Sequence, residues 1–226
     1  MNSNTTFKNY VGGRFVTGSK FFDSINPVDG SLVAKVSEAD GGMLDEAVQS
    51  ARVALDTQWL STSAEDRCKI LHQIADGIEK RFQDFVDAEI ADTGKPIKQA
   101  ASIDIPRGAA NFRFFADLVK VAGSECFELE TPDGMRAINY SIRKPLGVIG
   151  VISPWNLPLL LLTWKIGPAL AAGNCIIAKP SEETPGTATL LAEVIHETDM
   201  PAGVFNLLHG FGEGSIGEKL AKHSGV

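Results

Sequence analysis

Three short runs in the second half of the chain hold no charged residue: Val148-Ile149-Gly150-Val151-Ile152, Asn174-Cys175-Ile176-Ile177-Ala178 and Val204-Phe205-Asn206-Leu207-Leu208. Each leads into a turn rich in proline or glycine and then into a helical pattern. A strand with one wet face alternates apolar and polar residues; a strand covered on both faces by helices does not. Repeated strand–turn–helix units of this kind predict an α/β fold with an open parallel sheet. In such a sheet the ligand lies at the carboxyl ends of the strands. The turns to inspect are therefore Ser153-Pro154-Trp155-Asn156, Lys179-Pro180-Ser181-Glu182 and the glycine-rich stretch from Gly210 to Gly217.

The first half reads differently. Asn9 to Phe15 carries a Gly-Gly turn between apolar residues, which predicts a hairpin. Asn26-Pro27-Val28-Asp29-Gly30 is a second turn cluster. Leu44, Ala47, Val48, Ala51, Ala54 and Leu55 make one helical stripe. Ser63-Ala64-Glu65-Asp66 resembles a capping box opening a long amphipathic helix, with Ile70, Leu71, Ile74, Ile78, Phe82 and Val86 on its apolar face and Gly94-Lys95-Pro96 at its end. A third helix is expected over residues 99–121, kinked at Pro106 because proline removes a helical hydrogen bond. Residues 123–134 read as polar turns and 135–143 as an exposed or edge strand. The expected organisation is a hairpin and helical part over 1–127, a linker and strand over 128–146, and βα units over 147–226.

Composition excludes several function classes. A net charge of −7 with no basic run argues against a general nucleic-acid binder. Residues 145–164 lack charge, but Pro145, Pro154 and Pro158 with Gly147, Gly150 and Asn156 would break the continuous pairing that a lipid-exposed helix needs. The opening lacks the apolar segment of a signal peptide. Cys68, Cys126 and Cys175 form no CxxC, and reduced thiols in a cytoplasmic protein are expected. The four histidines are isolated, so no metal site is expected.

The three turns each admit two readings. Gly212 to Gly217 is a literal GxGxxG between a strand and a helix, either a dinucleotide fingerprint or simply a tight glycine-rich link. Lys179 and Glu182 could grip ribose hydroxyls from two sides, or form a surface ion pair worth little. Asn156, stiffened by Pro154 and Trp155, could present its amide from an apolar site to an oxygen gaining negative charge. It could equally be a helix N-cap.

Taken in order, these segments resemble the aldehyde dehydrogenase superfamily. The resemblance rests on Lys144-Pro145-Leu146-Gly147-Val148-Ile149, PWN at 154–156, and Ile166-Gly167-Pro168-Ala169-Leu170-Ala171-Ala172-Gly173-Asn174. KPSE at 179–182, Thr184-Pro185, Pro201-Ala202-Gly203-Val204-Phe205-Asn206 and the glycine turn complete it. It extends from the first hairpin onward and is most specific between residues 144 and 217. It implies NAD as cofactor, with Ile152, Ser153, Pro154 and Trp155 on the nicotinamide side and Lys179, Ser181 and Glu182 at the adenosine ribose. A carboxylate at Glu182 would disfavour a 2′-phosphate by like-charge repulsion, so NAD is expected over NADP. Gly212 and Gly217 are implied to lie near the adenine end without serving as an ordinary pyrophosphate loop.

The resemblance assigns Asn156 as donor to the substrate oxyanion. The opening and Asp104 to Arg113 resemble the branch acting on muconic semialdehydes, in which Arg107 would hold the substrate's own carboxylate. A guanidinium fork suits that contact. Without that branch, the segment reads as a kinked amphipathic helix with solvated arginines. The implied activity is oxidation of 2-hydroxymuconic semialdehyde, or its 2-amino analogue or another semialdehyde or betaine-type aldehyde, in the breakdown of aromatic compounds. The family's nucleophilic cysteine and general-base glutamate fall beyond the position of Val226, so the chain is expected to be an inactive amino-terminal part of an oligomeric enzyme, a dimer or tetramer. Two other readings stand beside it: a non-catalytic cofactor-binding or assembly module, and an ordinary Rossmann enzyme with the pyrophosphate on Gly212 to Gly217.

Overall fold

The structure, a computed structural model, describes residues 5–226. The three apolar runs form β8 (Val148–Ile152), β9 (Cys175–Lys179) and β10 (Phe205–Leu207), all parallel, as their patterning requires. Every residue of β9 and β10 is buried, which explains why neither alternates. The first hairpin, β2 (Asn9–Val11) and β3 (Arg14–Val16), forms as expected, with Gly12 and Gly13 both at positive φ. It joins the same sheet through an antiparallel contact of β2 with β10, giving the order β3-β2-β10-β9-β8. The sheet is thus mixed at one edge.

Helices cover both faces. One side carries α1 (Gly41–Thr57), capped by Asp40, and α8 (Ile216–Lys222). The other carries α6 (Pro158–Ala171) and α7 (Gly186–His196). Outside these pack α2 (Ala64–Lys80), α3 (Phe82–Thr93) and α5 (Ile105–Lys120), linked by α4 (Ile97–Gln99). Ser63 caps α2 by accepting from the Asp66 N–H, as the capping-box spacing predicts. A separate sheet, β1-β5-β4, is built from β1 (Thr6–Phe7), β4 (Lys20–Ile25) and β5 (Leu32–Glu38).

Three expectations are corrected. The long helix after Ser63 breaks at Arg81, whose guanidinium is held by Asp84 and Glu193, and the chain continues as a separate helix, α3. The polar segment before Gly134 contains a strand, β6 (Cys126–Glu130), paired with β7 (Arg136–Tyr140); its exposure hides it from a hydrophobicity reading. Cys126 therefore lies on a hairpin and not in the helical part. The kink expected at Pro106 takes the form of a π-helical turn over Ala100–Asp104, which leaves the proline at the start of a fresh helix where its missing N–H does little harm.

Candidate functional site

Parallel register aligns the strand ends. Ile152 lies opposite Lys179, Ala178 lies opposite Leu207, and the Ser153 N–H donates to the Lys179 carbonyl at 3.1 Å. The three turns singled out in the sequence therefore leave one end of the sheet side by side. Ser153 is buried there, while Pro154 is exposed and Ile152 and Trp155 are 48% and 62% exposed. Apolar side chains left open at strand ends are what a ligand ring would cover.

Lys179 is buried, yet its ammonium meets the part-buried Glu182 carboxylate at 2.7 Å. Burial pushes Glu182 up, but the Lys179 hydrogen bond and charge, with a backbone N–H, outweigh it and leave the carboxyl below its usual range. Glu182 is thus an anion. Ser181 starts the turn between them, its Oγ accepting from the Glu183 N–H. Sequence reasoning missed His209, fully buried at the end of β10 and bonded to Thr189 Oγ1 at 3.2 Å. Burial first, then the Lys179 charge, holds its pKa down to about 3, so it stays neutral under the ammonium.

The glycine turn spends several of its amides on itself. The N–H groups of Gly217 and Glu218 donate to the carbonyls of Phe211 and Gly212, that of Phe211 to Ser215 Oγ, and that of Gly214 to the Glu218 carboxylate. A Cβ on Gly217 would fall 3.0 Å from the Phe211 carbonyl oxygen, so glycine is needed there for close packing. A phosphate cradle needs donors pointing outward, and these amides point back into the turn.

Asn156 is not the helix cap. The N-cap of α6 is Leu157, and no side chain caps it. The Asn156 side chain is exposed and makes no hydrogen bond among the described residues, in contrast to the apolar setting expected for it. Its backbone is held instead: the Asn156 carbonyl accepts from Lys95 Nζ at 3.2 Å. Lys95 sits between Glu89 and Asp104, at 2.8 and 2.7 Å, and both carboxylates are fully buried. Sequence patterning missed this cluster.

Arg107 lies exposed on α5, with no acidic partner among the described residues. Its neighbours along the chain, Asp104 and Gly108, are tied to the Asn156 segment and to α6. Asp104, one turn earlier, reaches Asn156 through Lys95. Gly108, the next residue, packs so closely on α6 that a Cβ would fall 2.7 Å from Leu159 Cδ2. Asn111 locks the same helices by donating to the Leu160 carbonyl and Thr163 Oγ1.

The model of the aldehyde dehydrogenase family matches this chain over residues 15–226. The chain belongs to that family. Among curated relatives of this aldehyde dehydrogenase chain, a 2-aminomuconic 6-semialdehyde dehydrogenase from a Pseudomonas species is 56% identical, covering 97% of this chain and 45% of the relative. A 2-hydroxymuconic semialdehyde dehydrogenase from Pseudomonas sp. strain CF600 is 54% identical over 97% of this chain and 46% of its own length. An NAD+ complex of an aldehyde dehydrogenase from Bacillus cereus superposes with a TM-score of 0.92 at 32% identity, covering 98% of this chain and 45% of that one. The chain therefore spans about half the length of the relatives it matches.

None of the three cysteines of this aldehyde dehydrogenase chain is placed as a nucleophile. Cys68 is buried and donates to the Ala116 carbonyl. Cys175 is buried in β9, where desolvation, then the Asp56 charge, pushes its thiol up to about 12. Cys126 is exposed, but on the β6–β7 hairpin. A reactive thiolate needs an accessible, positive setting.

Proposed function

We propose that this chain is the amino-terminal part of an NAD-dependent enzyme that oxidises a semialdehyde carrying its own carboxylate, with 2-hydroxymuconic semialdehyde favoured and the 2-amino analogue close to it. The observation that carries the substrate class is Arg107, exposed and without an acidic partner among the described residues, on the helix whose Asp104 and Gly108 contact Lys95 and Leu159 at either side of Asn156. A guanidinium there can hold a carboxylate while the aldehyde at the other end of the molecule reaches the Asn156 amide. The named relatives act on substrates of that type, which supports the reading.

Within this reading Asn156 donates from its side-chain amide to the oxygen of the attacked carbonyl, where negative charge grows in the transition state. One such donor is worth roughly 3–4 kcal/mol. Ile152 and Trp155 cover the nicotinamide face and shed water from it. Lys179 and Glu182 take the adenosine ribose hydroxyls, the ammonium donating and the carboxylate accepting. NAD, when bound, supplies the hydride acceptor. The nucleophile and the base that activates water come from outside residues 1–226. The β6–β7 hairpin, with Phe127, Leu129, Ile138 and Tyr140 exposed, is the surface proposed for assembly with other subunits.

Comparing kcat/KM of the complete enzyme on the two muconic semialdehydes and on an aliphatic aldehyde without a carboxylate tests the reading. A preference of at least about tenfold for the carboxylate-bearing pair is expected from one charge-assisted contact; equal values contradict it. Glu182 sets a second expectation. Replacing Glu182 by Gln removes the charge that opposes a 2′-phosphate and frees the Lys179 ammonium to meet it. The KM ratio of NADP to NAD should fall by about tenfold or more, since like-charge juxtaposition costs several kcal/mol. An unchanged ratio would move the ribose site elsewhere.

A further inference from the structure

We propose that Lys95, clamped between Glu89 and Asp104, is a positioning residue that sets the direction of the Asn156 amide; the proposal rests on Asn156 being the oxyanion donor. The segment 153–157 has no regular structure. Its first residue is tied to β9 by the Ser153 N–H, and its last enters α6 when the Leu157 carbonyl accepts from Leu161. Between these ends the Lys95 ammonium on the Asn156 carbonyl is the one hydrogen bond among the described residues.

An ammonium has three N–H groups, and Lys95 spends them on three acceptors: Glu89 Oε1, Asp104 Oδ2 and the Asn156 carbonyl. Nothing is left over to turn the group elsewhere. Its stem is 9% exposed and both carboxylates are fully buried, so the head cannot wander. Burial pushes Lys95 down, but hydrogen bonds and charge from Asp104 and Glu89 outweigh it and keep the ammonium charged. Asp104 is delivered by the π-helical turn, a distortion frequent at functional sites. Burial, with the Asp104 charge, pushes the Glu89 carboxyl up against the Lys95 hydrogen bond and charge that pull it down.

Stability does not account for the cluster. It places two carboxylates against one cation in a dry site, and Glu89 Oε2 and Asp104 Oδ1 make no hydrogen bond among the described residues. Well-packed neutral side chains would serve folding as well or better. What neutral side chains cannot do is hold the Asn156 carbonyl by a charged donor.

The test is a mutant cycle on kcat in the complete enzyme. Lys95→Met should lower kcat by about 10–100-fold, the scale of a misplacement near 1 Å, with the KM for NAD nearly unchanged. In an Asn156→Ala background the same change should add less than about threefold, because the two residues act as a unit. Lys95→Met leaves two buried carboxylates unpaired and can weaken folding, so the charge-free triple variant Glu89→Gln, Lys95→Met, Asp104→Asn is the companion. Its melting temperature should match or exceed that of the parent while its kcat stays low. A parent-like kcat in the triple variant, or fully multiplicative losses with Asn156→Ala, overturns the positioning role. An unchanged kcat in Asn156→Ala alone overturns the oxyanion reading instead, so the two failures are told apart.

Discussion

Replacing Asn156 by Ala in the complete enzyme is expected to lower kcat by about 10²–10³-fold, the loss of one oxyanion donor, with the KM for NAD nearly unchanged. The size of the effect follows from what the side chain does not do. Its amide is exposed, caps no helix and makes no hydrogen bond among the described residues. An exposed side chain with no partners contributes within about 0.5 kcal/mol to stability, so truncation leaves the fold intact. Any large loss of turnover must then come from the reacting carbonyl. Asn156→Asp should be worse than Ala, because it sets a carboxylate against the growing negative charge. Parent-like turnover in the Ala variant would remove Asn156 from the mechanism.

The second large effect is expected at Arg107. Its replacement by Met keeps the length and apolar stem but removes the fork. With the muconic semialdehydes, kcat/KM should fall by about 10–100-fold, the value of a charge-assisted hydrogen bond of 1.5–3 kcal/mol. With an aldehyde that carries no carboxylate it should hardly change. The contrast between the two substrates is the informative quantity. An equal loss on both would mean that Arg107 supports the helix or the turn and does not read the substrate. Steady-state kinetics of the parent and variant on both substrates decides it.

Much of the fold is legible in the residues because local signals agree with the tertiary outcome. The run at β9 is apolar throughout because helices lie on both faces, and the Gly12-Gly13 pair can serve only a tight hairpin. Ser63 and Asp66 mark a helix start by side-chain chemistry alone. What stays hidden depends on contacts far apart in sequence. The break at Arg81 leaves the apolar stripe of residues 70–86 nearly in phase, and the ion pair made there, Arg81–Glu193, joins segments more than a hundred positions apart. The strand at Cys126–Glu130 is exposed, so no burial pattern records it.

The site divides in the same way. Asn156, Lys179 and Glu182 could be picked out because Lys179 ends a buried strand and the other two lie in the turns that follow β8 and β9. Lys95, Glu89 and Asp104 could not. Each looks like an ordinary charge on an amphipathic helix or at its end, and only the packing of α3 and the π-helical turn on the Asn156 segment reveals them as buried. The Pro106 signal pointed to an irregular backbone but not to the carboxylate it delivers. The GxGxxG at 212–217 is the opposite case: a strong local pattern several of whose amides are turned back into the turn.

A structure of the complete enzyme with NAD bound tests the central claim most directly. The account predicts the nicotinamide against Ile152 and Trp155, within reach of the Asn156 amide, and the adenosine ribose on Lys179 and Glu182. A pyrophosphate seated on the Gly212 to Gly217 amides, with the nicotinamide away from Asn156, would contradict it.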